Sequence, residues 1–305
     1  MNALLQALRT LPHRGEALSA ASAVIWAVAV IFYRVGGRKA HPLALSLFKN
    51  ALAAAVLLAT LAGLGLPLFP PLPLRHYALM ILSGIIGIAL SDTIFFMALN
   101  KLGAELTAIV DCAYVPFVIG LSFLVLGERI SLAQAGGVAL IVAAVALISG
   151  RRGDAQIPRR DLRSGVALGI LAMLLSAVGI VVMKPLLPED SVVWAGLVRT
   201  VGGLAAMAGV VAVRRRRREL LAPLASGPTL AVLVPAALLG SYASMLLWLA
   251  GMKYAPASIA SALNQLNTIF IFILGAIFLK EKITPVKLAA VALAFAGAMI
   301  ISLVV

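Results

Sequence analysis

The chain has 305 residues, 63% of them hydrophobic and only 12% charged, with a mean hydropathy of +1.09. A soluble chain runs near half apolar and a quarter charged, so this composition excludes the soluble class and leaves no room for a separate soluble domain. The formal net charge of +14 does not point to nucleic acid. Nearly all of its basic residues sit in short connections between apolar stretches, where they anchor membrane helices against anionic headgroups.

Ten apolar stretches follow in chain order: roughly 17–35, 42–63, 76–98, 104–126, 131–149, 164–184, 191–213, 229–252, 256–279 and 285–305. A bilayer span needs about 20 mostly apolar residues. Backbone amides in hydrocarbon must be satisfied within the segment, so helices are expected, and the alternating pattern of a membrane barrel is missing. The expected fold is an all-α polytopic membrane protein of ten transmembrane helices.

The N-terminal MNALLQALRTLPHRGEA lacks an apolar core followed by a small-residue cleavage site and reads as a mature, partly amphipathic end. GLGLPLFPPLPLR (63–75) is a proline-rich hinge between the second and third spans. RRGDAQIPRRDLR (151–163) is the longest and most charged connection, at the chain's midpoint, and RRRRREL (214–220) follows the seventh span as an orientation anchor. Cys112 is the only cysteine, which excludes an intramolecular disulfide and a cysteine-based metal site. No metal or cofactor is expected.

Basic residues concentrate after odd-numbered spans, among them Arg38, Lys39, Arg151, Arg152 and Arg214 to Arg218. The even connections and the N-terminal tail hold Arg9, Arg14, Arg75, Arg129, Lys184 and Lys253. The positive-inside rule therefore places the odd connections in the cytoplasm and both termini outside, in an inner or plasma membrane. Most of that bias comes from the second half.

An internal repeat organises the chain. A shift of 153 residues lays GERISLAQAGGVALIVAAVALIS (127–149) over KEKITPVKLAAVALAFAGAMIIS (280–302), with Glu128 on Glu281, Arg129 on Lys282, Ile130 on Ile283 and Ser131 on Thr284. The same shift puts Asp111 on Asn264 and Tyr114 on Asn267. A shift of 150 puts Arg34 on Lys184 and Lys49-Asn50 on Arg199-Thr200. Polar residues inside a span are costly, so their recurrence at matched depth points to duplication. The repeats are 1–150 and 151–305. Five crossings each would set them in opposite orientations, the inverted architecture of many secondary transporters.

A ten-span chain of this length, with Gly-Glu-Arg-Ile-Ser before the fifth span and Lys-Glu-Lys-Ile-Thr before the tenth, resembles the drug/metabolite transporter superfamily. It is most similar to the EamA branch, over essentially the whole chain. The resemblance implies the fold of exporters of amino acids and other small metabolites, and its motifs say little about substrate. One departure bears on packing at the tenth span: Ala289-Ala290 stands where the first copy has Gly136-Gly137.

Candidate substrate or ion ligands are the polar residues inside spans. Asp111 is a carboxylate near the middle of the fourth span, either a reversible proton-binding group or a tie between helices. Lys49 and Arg199 are repeat-matched cations that either meet an anionic substrate, pair with Asp111 or Asp92, or snorkel to the headgroups. Asn50 accompanies Lys49. Asp92 has no acidic match, since Met245 stands there. In the ninth span Ser261, Asn264, Gln265 and Thr268 share one helical face, a polar stripe that lines a cavity or bonds to a neighbouring helix. Trp26 and Tyr114 offer aromatic faces inside spans, whereas Trp194 and Tyr77 fit interfacial belts. Pro116 and Pro235 permit kinks. Glu128 and Glu281 are expected to cap the start of the next helix or to pair with the adjacent basic residue.

An intramembrane enzyme is disfavoured, because His13, His41 and His76 lie at or outside span ends and neither His-Glu-x-x-His nor Gly-x-Ser-x-Gly occurs. A channel or lipid scramblase remains compatible with the repeat, although no filter-like run is visible. A drug antiporter of the small four-span kind relies on a glutamate inside the first span, and here Glu16 stands just before it. The expected function is a secondary active carrier, an exporter of small metabolites such as amino acids, working as a monomer with protons as a candidate coupling ion. A drug, nucleoside or sugar carrier of the same fold is the nearest alternative.

Overall fold

The computed structural model describes residues 13–37, 40–129, 131–149, 157–187, 190–214 and 217–303. The amphipathic N-terminal end, Arg38, Lys39, Ile130, Arg151, Arg152, Arg215 and Arg216 lie outside the described residues. The long helices in chain order are α1 (Arg14–Gly37), α2 (Pro42–Gly63), α3 (Leu74–Leu102), α4 (Ala104–Leu126), α5 (Leu132–Ser149), α6 (Arg159–Leu186), α7 (Val192–Ala212), α8 (Gly227–Tyr254), α9 (Ala257–Phe278) and α10 (Pro285–Leu303). Eight are long and apolar enough to cross a membrane. The apolar segments of α5 and α10, Leu132–Leu147 and Pro285–Ile301, are shorter. No strand occurs among the described residues.

Several helices depart from α geometry at matched places. α3 passes through a π-helical stretch at Ile85–Leu90 and α8 through one at Ala237–Ser244, so the 153-residue shift lays the first inside the second. Pro235 lies two residues before the α8 stretch. α4 breaks between half-helices Ala104–Asp111 and Tyr114–Leu121, and α9 breaks between Ala257–Asn264 and Asn267–Phe278. Pro116 explains the first break: it has no N–H for the Cys112 carbonyl, which accepts from Val115 at 3.2 Å instead. The second break contains no proline and falls on Asn264 to Asn267, residues that interrupt a helix less sharply.

The same regions bring α4 and α9 together in antiparallel fashion. Each is followed by a glutamate that caps the start of the other. The Glu128 carboxylate accepts from Ala257 and Ser258 N–H at 3.0 and 3.3 Å, and that of Glu281 accepts from Ala104 and Glu105 N–H at 3.0 Å each. The helix capped is therefore not the next one, as expected from sequence, but the counterpart, in the other half, of the helix the glutamate follows. Sequence spacing ranks neighbours along the chain and carries no signal for a partner about 130 residues or more away.

α5 and α10 pack on each other through Gly137 and Gly297. A Cβ on either would lie 2.6 or 2.5 Å from the other's carbonyl oxygen. Gly297 thus permits the close approach that the Ala289-Ala290 departure put at issue. Trp194, expected in an interfacial belt, faces protein at the start of α7. It is 2% exposed, its Nε1 donates to the Leu68 carbonyl at 3.0 Å, and its ring stands edge-on to Tyr77 with centroids 5.1 Å apart. The proline-rich 63–75 segment thus meets the start of α7 at Leu68.

Candidate functional site

α1 to α4 and α6 to α9 surround a cavity of about 140 Å³ at mid-helix level. α3 is drawn against α6 where Ser91 Oγ donates to the Ala172 carbonyl at 2.8 Å. α1 is drawn against α8 where Ser22 Oγ donates to the Ser244 carbonyl at 2.9 Å. These small side chains let the helices approach closely while satisfying backbone carbonyls near the π-helical stretches.

The cavity is lined by Trp26, Lys49, Asn50, Asp92, Asp111, Tyr114, Arg199, Asn264 and Gln265. Ser261 does not line it. It is fully buried, and its hydroxyl donates to the Ser258 carbonyl at 2.8 Å. The break after Asn264 divides the stripe expected on one helical face, and Thr268 turns to the Ala108 carbonyl at 3.2 Å. Sequence reasoning missed Ser22, Ser91, Ser176, Ser241 and Ser244, which also line the cavity. A signal was available for two of them, since Ser91 falls on Ser244 under the 153-residue shift.

Matched positions build the two sides. The 150-residue shift pairs Trp26 with Ser176 and Lys49 with Arg199. The 153-residue shift pairs Gly87 with Gly240, Asp92 with Met245, Phe95 with Trp248, Asp111 with Asn264 and Tyr114 with Asn267. The scaffold is common to both sides and the chemistry differs.

On one side Lys49 Nζ donates to Asp92 Oδ2 at 2.5 Å, and Asn50 Nδ2 donates to the same oxygen at 3.3 Å. Lys49 is 4% exposed, so its charge does not snorkel to a headgroup. On the other side Arg199, 2% exposed, forms no ion pair among the described residues, and its Nε has no hydrogen-bond partner there. Its guanidinium carbon stands 5.1 Å from the Trp248 ring centroid, a cation–π contact. Gly87 makes room for it, because a Cβ there would lie 2.6 Å from a guanidinium nitrogen.

Asp111 also lacks a cationic partner among the described residues. Asn267 Nδ2 donates to its Oδ2 at 3.3 Å, and Gln265 Nε2 donates to its backbone carbonyl at 3.5 Å. Tyr114 Oη and Asn264 Oδ1, both buried atoms, have no hydrogen-bond partner among the described residues. Buried polar atoms are ordinarily satisfied, so these mark a place able to take hydrogen bonds from a polar ligand. Beside aromatic rings the arrangement presents a cation and a carboxylate that have no ionic partner among the described residues, together with unmet hydrogen-bonding atoms.

The model of the EamA-like transporter family matches residues 13–150 and again 163–303. The chain belongs to the EamA-like transporter family. It is thus a multi-pass membrane transporter of the drug/metabolite transporter superfamily, and the family is not one of enzymes. No curated protein matches the chain. One solved structure, described as the crystal structure of a protein, superposes with a TM-score of 0.71 at 18% identity, covering 95% of this chain and 96% of that one. At that identity the likeness of the EamA-like chain concerns the fold alone.

Proposed function

We propose that this protein is a secondary active carrier that exports a small amphipathic metabolite by alternating access through the central cavity. One observation carries the reading. Arg199 and Asp111 face the same cavity, oppositely charged and each without an ionic partner among the described residues, while the neighbouring Lys49 and Asp92 satisfy one another. A zwitterion such as an amino acid supplies the two missing partners, its carboxylate to Arg199 and its ammonium to Asp111, with its apolar body against Trp26, Phe95 and Trp248. Asp111 is the candidate proton carrier.

In this reading all ten long helices span the membrane as two inverted five-helix repeats, residues 1–150 and 151–305. The antiparallel crossing of the matched helices α4 and α9 supports it, as do the matched π-helical stretches. Exchange of conformations between the two repeats then turns one access state into the other. The charge bias puts the termini outside, and the duplication supplies both halves in one chain, so a monomer suffices.

The test is uptake of a mixed radiolabelled amino-acid pool into proteoliposomes, with and without a pH gradient. Saturable uptake above empty liposomes is expected. Flux that never saturates supports a channel or scramblase, and no flux under any gradient sinks the amino-acid assignment and directs the test to nucleosides and sugars.

A further inference from the structure

Two turns in this fold are each held by a cation and a carboxylate. At the α3–α4 turn, Arg34 from the end of α1 donates through Nη1 to the carbonyls of Leu99 and Asn100 at 2.8 and 3.2 Å. Glu281 takes the first amides of α4. At the α8–α9 turn, Lys184 from the end of α6 donates to the carbonyls of Met252 and Ala255 at 2.7 and 2.8 Å. Glu128 takes the first amides of α9. A cation at a helix C-terminus and a carboxylate at an N-terminus each oppose the local dipole and satisfy orphan backbone groups. The cation comes from the turn's own half of the chain and the carboxylate from the other half, so each clamp ties the halves together.

What the clamps hold is the cavity. Behind Glu281 lies the half-helix Ala104–Asp111, which ends on Asp111, and behind Glu128 lies Ala257–Asn264, which ends on Asn264. Both residues line the cavity, and each half-helix is severed from its continuation at that point. An eight-residue helix is a rod of about 12 Å, so a shift at its capped end moves the cavity residue at the other. Because Glu128 follows α4 and Glu281 caps the start of α4, the clamps stand at opposite ends of that span.

We infer that Glu281 and Glu128 are positioning residues for transport, each holding one half-helix, whose alternate release opens the cavity to one face and then the other. The inference rests on the carrier reading. The clamps are unequal. At the α3–α4 turn the buried Lys287 Nζ also donates to Glu105 Oε2 at 2.6 Å, whereas the matched positions at the other turn are Gln134 and Ser258, and Gln134 Oε1 accepts from Ser131 N–H at 3.0 Å. The Glu128 clamp is therefore the one that yields first.

The experiment uses the full chain with Cys112→Ser and Ser176→Cys, the latter a cavity position, in liposomes of known orientation. A membrane-impermeant maleimide is added to one face at a time. Glu128→Gln is expected to raise labelling from the α8–α9 face about tenfold, the order set by losing hydrogen bonds to a charged group. Labelling from the opposite face stays as it was. Glu281→Gln raises labelling from the α3–α4 face, by less, because Lys287 still holds Glu105. Unchanged labelling in folded variants, or an equal rise from both faces, overturns the inference. If Glu128→Gln does not fold, Lys184→Gln loosens the same turn from its other side and carries the same expectation. Labelling needs no substrate, so a wild type that moves no pool while the clamps still govern labelling sinks the carrier reading alone.

Discussion

Lys49 and Arg199 occupy matched positions on the wall of one cavity, yet Lys49 meets Asp92 at 2.5 Å and Arg199 meets no carboxylate among the described residues. The difference traces to a single matched position, where Asp92 in the first half corresponds to Met245 in the second. Both halves carry the cation and only the first carries the acid, so one cation is paired within the protein and the other is the one the carrier reading assigns to a ligand.

Removing Asp92 alone should destabilise the protein. Breaking a buried pair costs about 3–5 kcal/mol because the surviving charge is stranded. Asp92 is 21% exposed to the cavity, so a smaller loss of about 1–3 kcal/mol is expected for Asp92→Asn. Lys49→Met combined with Asp92→Leu removes both charges and should restore most of the melting temperature. A single variant that melts with wild type would mean the pair does not hold α2 to α3.

Arg199→Lys keeps the charge but loses the planar fork and the stacking on Trp248. The KM for a carboxylate substrate should rise about 10- to 100-fold, the worth of a hydrogen bond to a charged group. The maximal rate and melting temperature should change little, because Arg199 pairs with no acid among the described residues. Saturation curves for the reconstituted variant settle it, and an unchanged KM removes Arg199 from the binding site.

The fold was legible because bilayer physics permits few solutions: long apolar runs must be helices, and their lengths set the span boundaries to within a few residues. Most of the cavity's polar lining was legible for the same reason, since Lys49, Asp92, Asp111 and Arg199 are costly in hydrocarbon unless they face a cavity or a partner. The pairing of charges was not legible. Lys49 had Asp92 and Asp111 as candidate partners, and only the packing of α2 on α3 decides between them. The caps by Glu128 and Glu281 were recognised as caps but assigned to the wrong helix, because the contact depends on how two distant spans cross. Ser261 was misplaced by assuming an unbroken α9, and without a proline the break after Asn264 leaves a faint local signal.

His41 gives the fold a pH dependence outside the membrane span. Its Nδ1 accepts from Leu43 N–H at 3.2 Å, which requires a neutral ring nitrogen at the start of α2. Partial burial, and then the nearby Arg214 charge, hold its pKa below the ordinary 6.5. A depressed pKa means the folded state disfavours protonation, so this cap's contribution is complete above pH 6.5 and fades as pH falls through the folded value. His41→Ser supplies a cap that does not titrate. Between pH 8 and about 5 its melting temperature should therefore fall less than that of wild type. Superimposable curves would show that the histidine cap contributes nothing.

Asp111 offers the sharpest test of coupling. Its carboxylate receives the Asn267 amide at 3.3 Å and no cation among the described residues, in a cavity where a proton is its simplest counter-charge. Asp111→Asn preserves shape and an acceptor oxygen, so the half-helix that ends there should remain in place. Because the proposed zwitterion sets its ammonium on Asp111, the variant should lose both exchange between equal pools and gradient-driven uptake. Exchange that survives at near wild-type rates while the pH gradient no longer drives uptake would confine Asp111 to carrying the coupling proton and move the ammonium elsewhere. Gradient-driven uptake that persists in the variant would place the coupling on another group and leave Asp111 as a hydrogen-bonded tie between α4 and α9.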